Sequence, residues 1–153
     1  MTRGLRNNNP GNIRISKTIY LGEVQPSQDK AFKQFTKMEW GYRAMFVLLF
    51  TYHKNGYQTI RKMINRYAPP IENNTENYVR LVAEWSGILP DKILLPTDPT
   101  QMIPVVSAMS RVENGTPAIE ADVRAGWDLF MKHKPQYHVR EENCRPADQN
   151  RTA

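Results

Sequence analysis

Residues 36–56, TKMEWGYRAMFVLLFTYHKNG, carry the strongest structural signal in the sequence. Thr36 and Glu39 have the spacing of a capping box, in which a hydroxyl and a carboxylate each bind a free backbone amide where a helix begins. Apolar residues then recur at the helical spacing up to Gly56; they are Gly41, Ala44, Met45, Leu48, Leu49 and Tyr52. The stretch therefore predicts a long amphipathic helix.

Two shorter helices are predicted directly after this one. The first begins at Thr59 and ends before Pro69, because proline cannot continue a helix. The second is capped by Thr75 and closed by Gly87, since glycine readily takes the left-handed conformation found at helix ends. The long helix and the first short one would form a helical hairpin.

Two more helices are predicted beyond a proline-rich linker. The apolar spacing indicates one from about Met102 to Val112, ended by Gly115. Thr116 and Pro117 suit the cap and first turn of the last helix, whose inner face would comprise Ile119, Val123, Gly126, Trp127 and Phe130. With five predicted helices, the chain should be mainly α.

The two ends of the chain have different patterns. The first 35 residues are rich in Asn, Gly and Pro and hold two short alternating stretches, NIRI at 12–15 and AFKQF at 31–35, which predict loops with two or three short strands. After His133 the chain is polar and without periodicity. We therefore predict a mainly α (α+β) fold with one domain over residues 1–133 and a poorly ordered tail over residues 134–153.

The charge balance is basic, with 21 lysines and arginines against 15 acids and a net charge of +6. Such a charge attracts polyanions, among them wall polymers, phosphate backbones and anionic membranes. No nucleic-acid-binding motif accompanies it, so no nucleic-acid partner is expected. The single cysteine, Cys144, excludes an intrachain disulfide.

The N-terminal sequence lacks the apolar stretch of a secretory signal, and the longest apolar run, Ala44–Phe50, is too short to span a bilayer. We expect a soluble, monomeric product of the cytoplasm with no transmembrane segment. A substrate outside the cytoplasm would then require delivery by a virion, a holin or a secretion machine.

Carboxylates are the candidates for catalysis, because the usual nucleophile, metal and cofactor motifs are absent from the sequence and neither a metal nor a cofactor is expected. Glu113 has the most suggestive position, at the end of an apolar helix and just before a glycine turn. The negative pole of the helix would make such a carboxyl hold its proton more tightly, as a general acid requires. The alternative is a solvent-facing glutamate that closes a helix.

The segment RNNNPGNIR, residues 6–14, concentrates side-chain amides beside a Pro-Gly turn. Amides such as those of Asn8, Asn9 and Asn12 can bind the N-acetyl and hydroxyl groups of sugars. A structural loop, in which the amides bind their own backbone, explains the composition equally well.

Three blocks taken together resemble a known family: RNNNPGNIR at 6–14, FKQFTKMEWGYRAMFVLL at 32–49 and INRYAPPIENNTENYV at 64–79. They are similar, in this order, to small phage-associated lytic proteins with a lysozyme-like fold, which are often labelled as virion structural proteins. The likeness runs from about residue 3 to residue 130. It implies a protein that acts on bacterial peptidoglycan.

Parts of the chain also resemble two wall-degrading families. Residues 41–79 are similar to the second half of soluble lytic transglycosylases, in which Thr75 and Tyr78 match a threonine and a tyrosine on a closing helix. NNNPGNI, residues 7–13, is similar to a loop of flagellar glucosaminidases. In both families the catalytic glutamate precedes these blocks, whereas here SRVENG, with Glu113, follows them. This order implies a circular permutation.

The resemblance implies a glycosidase that cleaves the glycan strand with a glutamate as general acid, either a lytic transglycosylase or a hydrolysing muramidase or glucosaminidase. Glu113 is the first choice for that acid and Glu72 the second; without a permutation, Glu23 or Glu39 also becomes a candidate. The substrate-binding residues would be Asn8, Asn9, Asn12, Thr75 and Tyr78. A non-enzymatic virion or wall-binding protein with the same fold is the alternative function.

Overall fold

The computed structural model describes residues 1–71 and 73–135. This part of the chain forms six helices and almost no strand, so the predicted mainly α class is confirmed. All five predicted helices are present, and a short N-terminal helix that was not predicted precedes them. The helices are α1 (Arg3–Arg6), α2 (Met38–Lys54), α3 (Ile60–Tyr67), α4 (Thr75–Ser86), α5 (Pro99–Asn114) and α6 (Glu120–Lys132).

Helix α2 is the centre of the fold and is buried on every side between Gly41 and Phe50. The six residues predicted for its apolar face are all buried, but the residues between them are buried as well, because neighbours also cover the other faces of the helix. Its main neighbour is α6, which contributes Trp127 and Phe130 to an aromatic cluster around Phe46. Gly126 permits this packing, because a Cβ there would lie 2.5 Å from the Cβ of Tyr42.

Some predicted helix ends are confirmed and others are wrong. Thr59 caps α3 by accepting a hydrogen bond from the Lys62 amide, and Gly87 and Gly115 close α4 and α5 with φ of 74° and 70°. The capping box at Thr36 is absent: α2 begins at Met38 without a side-chain cap. Three other corrections concern single residues: Asn74 rather than Thr75 caps α4, α6 begins at Glu120 rather than after Thr116, and Ile119 is exposed.

The N-terminal region forms isolated bridges, Arg14 to Phe32 and Glu23 to Phe35, instead of the predicted short strands. The side chain of Asn9 explains why. The Lys33 amide donates to the Ile13 carbonyl, but the reciprocal bond is missing, because the Asn9 amide lies between the two chains and takes the Ile13 N–H and the Lys33 carbonyl itself. A side chain thereby replaces part of a strand ladder.

A buried ion pair between Lys33 and Glu23 stabilises the N-terminal region. The Lys33 ammonium donates to the Glu23 carboxylate at 3.1 Å and to the Thr18 carbonyl at 2.7 Å, and the Lys33 and Glu23 side chains are 0% and 2% exposed. Burial lowers the pKa of Lys33. A charge removed from water in this way is tolerated because its partner and a carbonyl replace the lost hydration.

No helix in the described part of the chain is long and apolar enough to cross a membrane. Residues 136–153 lie outside the described part of the chain. They include Cys144 and all but the first two residues of the predicted tail.

Candidate active site at the end of α5

Glu113 occupies the last turn of α5 and is half-buried. Its two carboxylate oxygens accept hydrogen bonds from different parts of the chain. The Asn12 side-chain amide donates to Oε1 at 3.0 Å, although the two residues are 101 positions apart in sequence, and the Tyr78 hydroxyl donates to Oε2 at 2.8 Å. The N-terminal loop, α4 and α5 therefore meet at one carboxyl group.

A cleft of about 300 Å³ opens beside this carboxyl group. One wall is the N-terminal end of α4 and the other is the end of α5; the lining residues are Asn73, Asn74, Asn77, Tyr78, Val112 and Glu113. Among the described residues that line it, Glu113 is the one acid. The described lining of the cleft thus places the Glu113 carboxyl group beside three asparagine side chains.

The loop of residues 7–12 reaches Glu113 because tight packing fixes its backbone. Asn8 and Asn12 adopt left-handed conformations, with φ of 52° and 50°, which asparagine tolerates better than most residues. Gly41 of α2 lies directly against the Asn8 carbonyl, where a Cβ would collide with it. The Tyr67 hydroxyl of α3 donates to the Gly11 carbonyl. Two helices, α2 and α3, therefore hold the loop.

Two of the predicted binding residues, Asn12 and Tyr78, lie at Glu113, and the other three do not. Asn9 is fully buried and binds the backbone of Ile13 and Lys33 with both ends of its amide, so a ligand cannot reach it. The Asn8 amide nitrogen donates to the Phe35 carbonyl at 3.1 Å. Thr75 is buried and its hydroxyl donates to the Ala68 carbonyl at 2.5 Å. These three side chains support the backbone.

Two other candidate acids, Glu23 and Glu39, are placed less favourably for catalysis. The Glu23 side chain is buried and its carboxylate is paired with Lys33. Glu39 lies in the first turn of α2, where a carboxylate complements the helix dipole. Glu72 lies outside the described residues.

The sequence did not single out two residues of the site, Asn77 and Asn114. The Asn77 side-chain oxygen accepts a hydrogen bond from Arg80 at 2.7 Å, which leaves its NH₂ group to serve as the donor along the cleft wall. Asn114 is buried directly behind Glu113 and donates to the Pro10 carbonyl at 2.9 Å. Asn77 directly precedes Tyr78 and Asn114 directly follows Glu113 in the sequence, which could have identified both as site residues. Asparagine at a helix end, however, is also an ordinary capping residue.

Comparison with known proteins gives one informative result. No family model matches the chain. The chain is 38% identical over 131 residues to a protein named "Protein P5" of Pseudoalteromonas phage PM2, and the alignment covers 82% of this chain and 80% of that protein. The similarity thus spans most of both sequences.

Proposed function

The chain belongs to the family of protein P5 of Pseudoalteromonas phage PM2, and on that premise we propose that it cleaves the glycan strands of bacterial peptidoglycan with Glu113 as the acid. The family gives the phage relation. The resemblance to wall-degrading enzymes suggests the substrate, and the surroundings of Glu113 suggest the chemistry. We further propose that the protein reaches the cell wall by delivery, through a virion, a holin or a secretion machine.

The observation that carries the proposal is the environment of Glu113. A half-buried carboxyl group, held by two uncharged donors in a cleft lined by amides, has the composition that glycosidic chemistry uses. In the proposed reaction, Glu113 protonates the glycosidic oxygen as the C–O bond breaks. Asn12 and Tyr78 then stabilise the carboxylate that remains, and the free NH₂ of Asn77 binds an acetamido carbonyl of the sugar.

The number of acids bears on the type of cleavage. A hydrolase usually requires a second carboxylate to activate water. A lytic transglycosylase needs one, because a hydroxyl of the sugar itself attacks the anomeric carbon and passes its proton to the carboxylate that protonated the leaving oxygen. Among the described residues of the cleft, Glu113 stands alone as an acid. We therefore favour the intramolecular reaction, with hydrolysis as the alternative outcome of the product analysis.

The same site motivates the proposal of a permuted lysozyme-like fold. In the similar enzymes, the helix with the catalytic acid precedes the blocks, whereas α5 follows them in this chain. Hydrogen bonds nevertheless join the end of α5 to the N-terminal loop. An experimental structure that superimposes on a lysozyme-like domain after α5 is moved ahead of the first block would support the permutation. A superposition that keeps the order of the chain would exclude it.

Purified peptidoglycan provides the test. Glu113→Gln keeps the size of the side chain but removes its acidity and replaces one acceptor oxygen with an NH₂ group. The rate of turbidity loss should therefore fall about 100-fold or more. Glu120→Gln is the matched control, because Glu120 is an exposed glutamate on α6, and it should clear at the wild-type rate. A Glu113→Gln variant that retains more than about a tenth of the activity would transfer the role to Glu72.

Mass spectrometry of the released fragments identifies the reaction. Anhydro ends indicate a transglycosylase, whereas reducing muramic acid or glucosamine ends indicate the two hydrolases. The absence of any clearing by the wild type over a range of pH would refute the proposed cleavage.

A non-enzymatic role in the virion or in wall binding is the second candidate, and one observation favours it. Both oxygens of Glu113 already accept hydrogen bonds from the protein, so the carboxyl group also satisfies the requirements of a structural residue. This role predicts that the wild type binds sedimented peptidoglycan without releasing fragments, and that Glu113→Gln lowers stability.

A further inference from the structure

Asn114 is the residue behind the acid, and every polar atom of its side chain is in use. Its NH₂ group donates to the Pro10 carbonyl and to the Ser110 carbonyl, each at 2.9 Å, and its oxygen accepts from the Thr2 hydroxyl at 2.7 Å. The residue is buried, so it has no free group to offer a substrate. These bonds join three separate segments: the N-terminus, the loop of residues 7–12 and the end of α5.

We propose that Asn114 is a positioning residue, which holds the loop of residues 7–12 so that the Asn12 amide binds Glu113. The inference deepens the proposed function and rests on it for its catalytic meaning. Pro10, the loop residue that Asn114 binds, is two positions before Asn12, and Glu113 is the neighbour of Asn114 in the chain. The bond from Asn114 to Pro10 therefore lies beside the bond from Asn12 to Glu113 and fixes the distance between the loop and the end of α5.

Gly4 of α1 shows how closely the two amides are packed. A Cβ at this position would lie 2.7 Å from the Asn12 side-chain oxygen and 2.8 Å from the Asn114 side-chain oxygen. The absence of a side chain at Gly4 thus permits both amides to lie against α1. The hydroxyl of Thr2, the N-cap residue of α1, completes the arrangement by orienting the Asn114 amide so that its NH₂ group faces Pro10.

The catalytic consequence follows from geometry. Asn12 is in a left-handed conformation, and a loop released from α5 has other backbone states available. A displacement of about 1 Å at a catalytic group can reduce the rate about 100-fold. Loss of the Asn114 bonds should therefore reduce kcat. KM should stay unchanged, because none of these hydrogen bonds goes to the cleft wall on α4.

Kinetics on soluble glycan strands provide the first test. Asn114→Ala should lower kcat by about 10- to 100-fold with KM changed less than about twofold. Thr2→Val should lower kcat in the same sense, and Thr2→Ser, which keeps the hydroxyl, should restore it. Asn65→Ala is the matched control, because it removes a similar bond from an asparagine to a helix carbonyl, Asn65 to Arg61 in α3, and should leave kcat unchanged.

A purely structural role would lower activity in proportion to the folded fraction, so rates are referred to folded protein measured by circular dichroism. The proposal would be overturned if folded Asn114→Ala had the kcat of the wild type. It would also be overturned if Thr2→Val and Thr2→Ser lowered kcat equally.

NMR provides a second test, which is independent of cleavage. In the wild type, the side-chain amide signals of Asn12 should shift as Glu113 titrates, and Glu113→Gln should abolish that shift. The shift should be lost in Asn114→Ala or, if that variant does not fold, in Thr2→Val. An Asn12 signal that still follows Glu113 in a folded variant would refute the positioning role, whether or not the protein cleaves peptidoglycan. If instead the wild type fails to cleave while the NMR result holds, the proposed function fails and the positioning of Asn12 stands.

Discussion

Replacing Asn9 by alanine should destabilise the fold strongly. The side chain is fully buried and takes part in three hydrogen bonds of 2.9–3.0 Å, with the Ile13 amide, the Ile13 carbonyl and the Lys33 carbonyl. Alanine would leave a buried N–H and a buried carbonyl without these partners, and each such group costs about 1–3 kcal/mol. The expected loss is about 4 kcal/mol of the free energy of unfolding.

Asn12→Ala is the matched comparison, because it removes the same amide from the same loop. Asn12 is half-buried and its NH₂ group binds the Glu113 carboxylate, so its removal should cost about 2 kcal/mol, which is less than the loss expected for Asn9→Ala. The activity should show the opposite order. Asn12→Ala should impair cleavage by folded protein more than Asn9→Ala does, because Asn12 contacts Glu113.

Urea unfolding followed by circular dichroism measures both variants, and an unchanged m-value would show that the difference lies in the native state. For a chain of this size, about 4 kcal/mol corresponds to a melting temperature lower by about 8–16 °C. If Asn9→Ala melts within about 3 °C of the wild type, the inserted amide does not hold the N-terminal region together, and the explanation given for its isolated bridges is wrong.

Two further predictions concern charged side chains of the N-terminal region. Lys33→Met should lower the free energy of unfolding by about 3–5 kcal/mol, because it leaves the Glu23 carboxylate buried without a cation. A Lys33→Met/Glu23→Leu double variant that is less stable in urea than Lys33→Met alone would contradict this reasoning. Asp29 accepts hydrogen bonds from Arg3, which hold its pKa well below the ordinary value. Its stabilisation is therefore present above the ordinary pKa and lost as pH falls, so unfolding free energies at about pH 5 and pH 2.5 should differ less in Asp29→Asn than in the wild type.

The helices and their ends were mostly predictable because local rules decide them. Proline after the end of α3 and glycine after α4 and α5 act through the local backbone, whatever surrounds them. The wrong predictions concerned the residues at which helices begin. Thr36 and Thr75 fit a capping pattern, but the hydroxyl of Thr75 binds Ala68 instead, a choice that depends on where α3 ends.

The burial of α2 on all sides shows the same limit for packing. The helical spacing identified one apolar face, but whether the opposite face is covered depends on α6, some 80 residues later in the chain. Its unbroken apolar run, Ala44–Phe50, was the signal for full burial. Periodicity indicates a face, and the neighbours decide how many faces are covered.

The asparagine loop shows most clearly what the sequence determined and what the tertiary structure decided. Composition alone indicated an amide-rich turn and a glutamate at a helix end, because Asn, Pro and Gly have intrinsic backbone preferences. It could not separate Asn9, which binds backbone, from Asn12, which binds Glu113, since the two side chains are chemically identical. Their different positions depend on Lys33 and Glu113, 24 and 101 residues away. Hydrogen bonds between side chains depend on spatial proximity, which only the packing of α1, α2 and α5 around the loop provides.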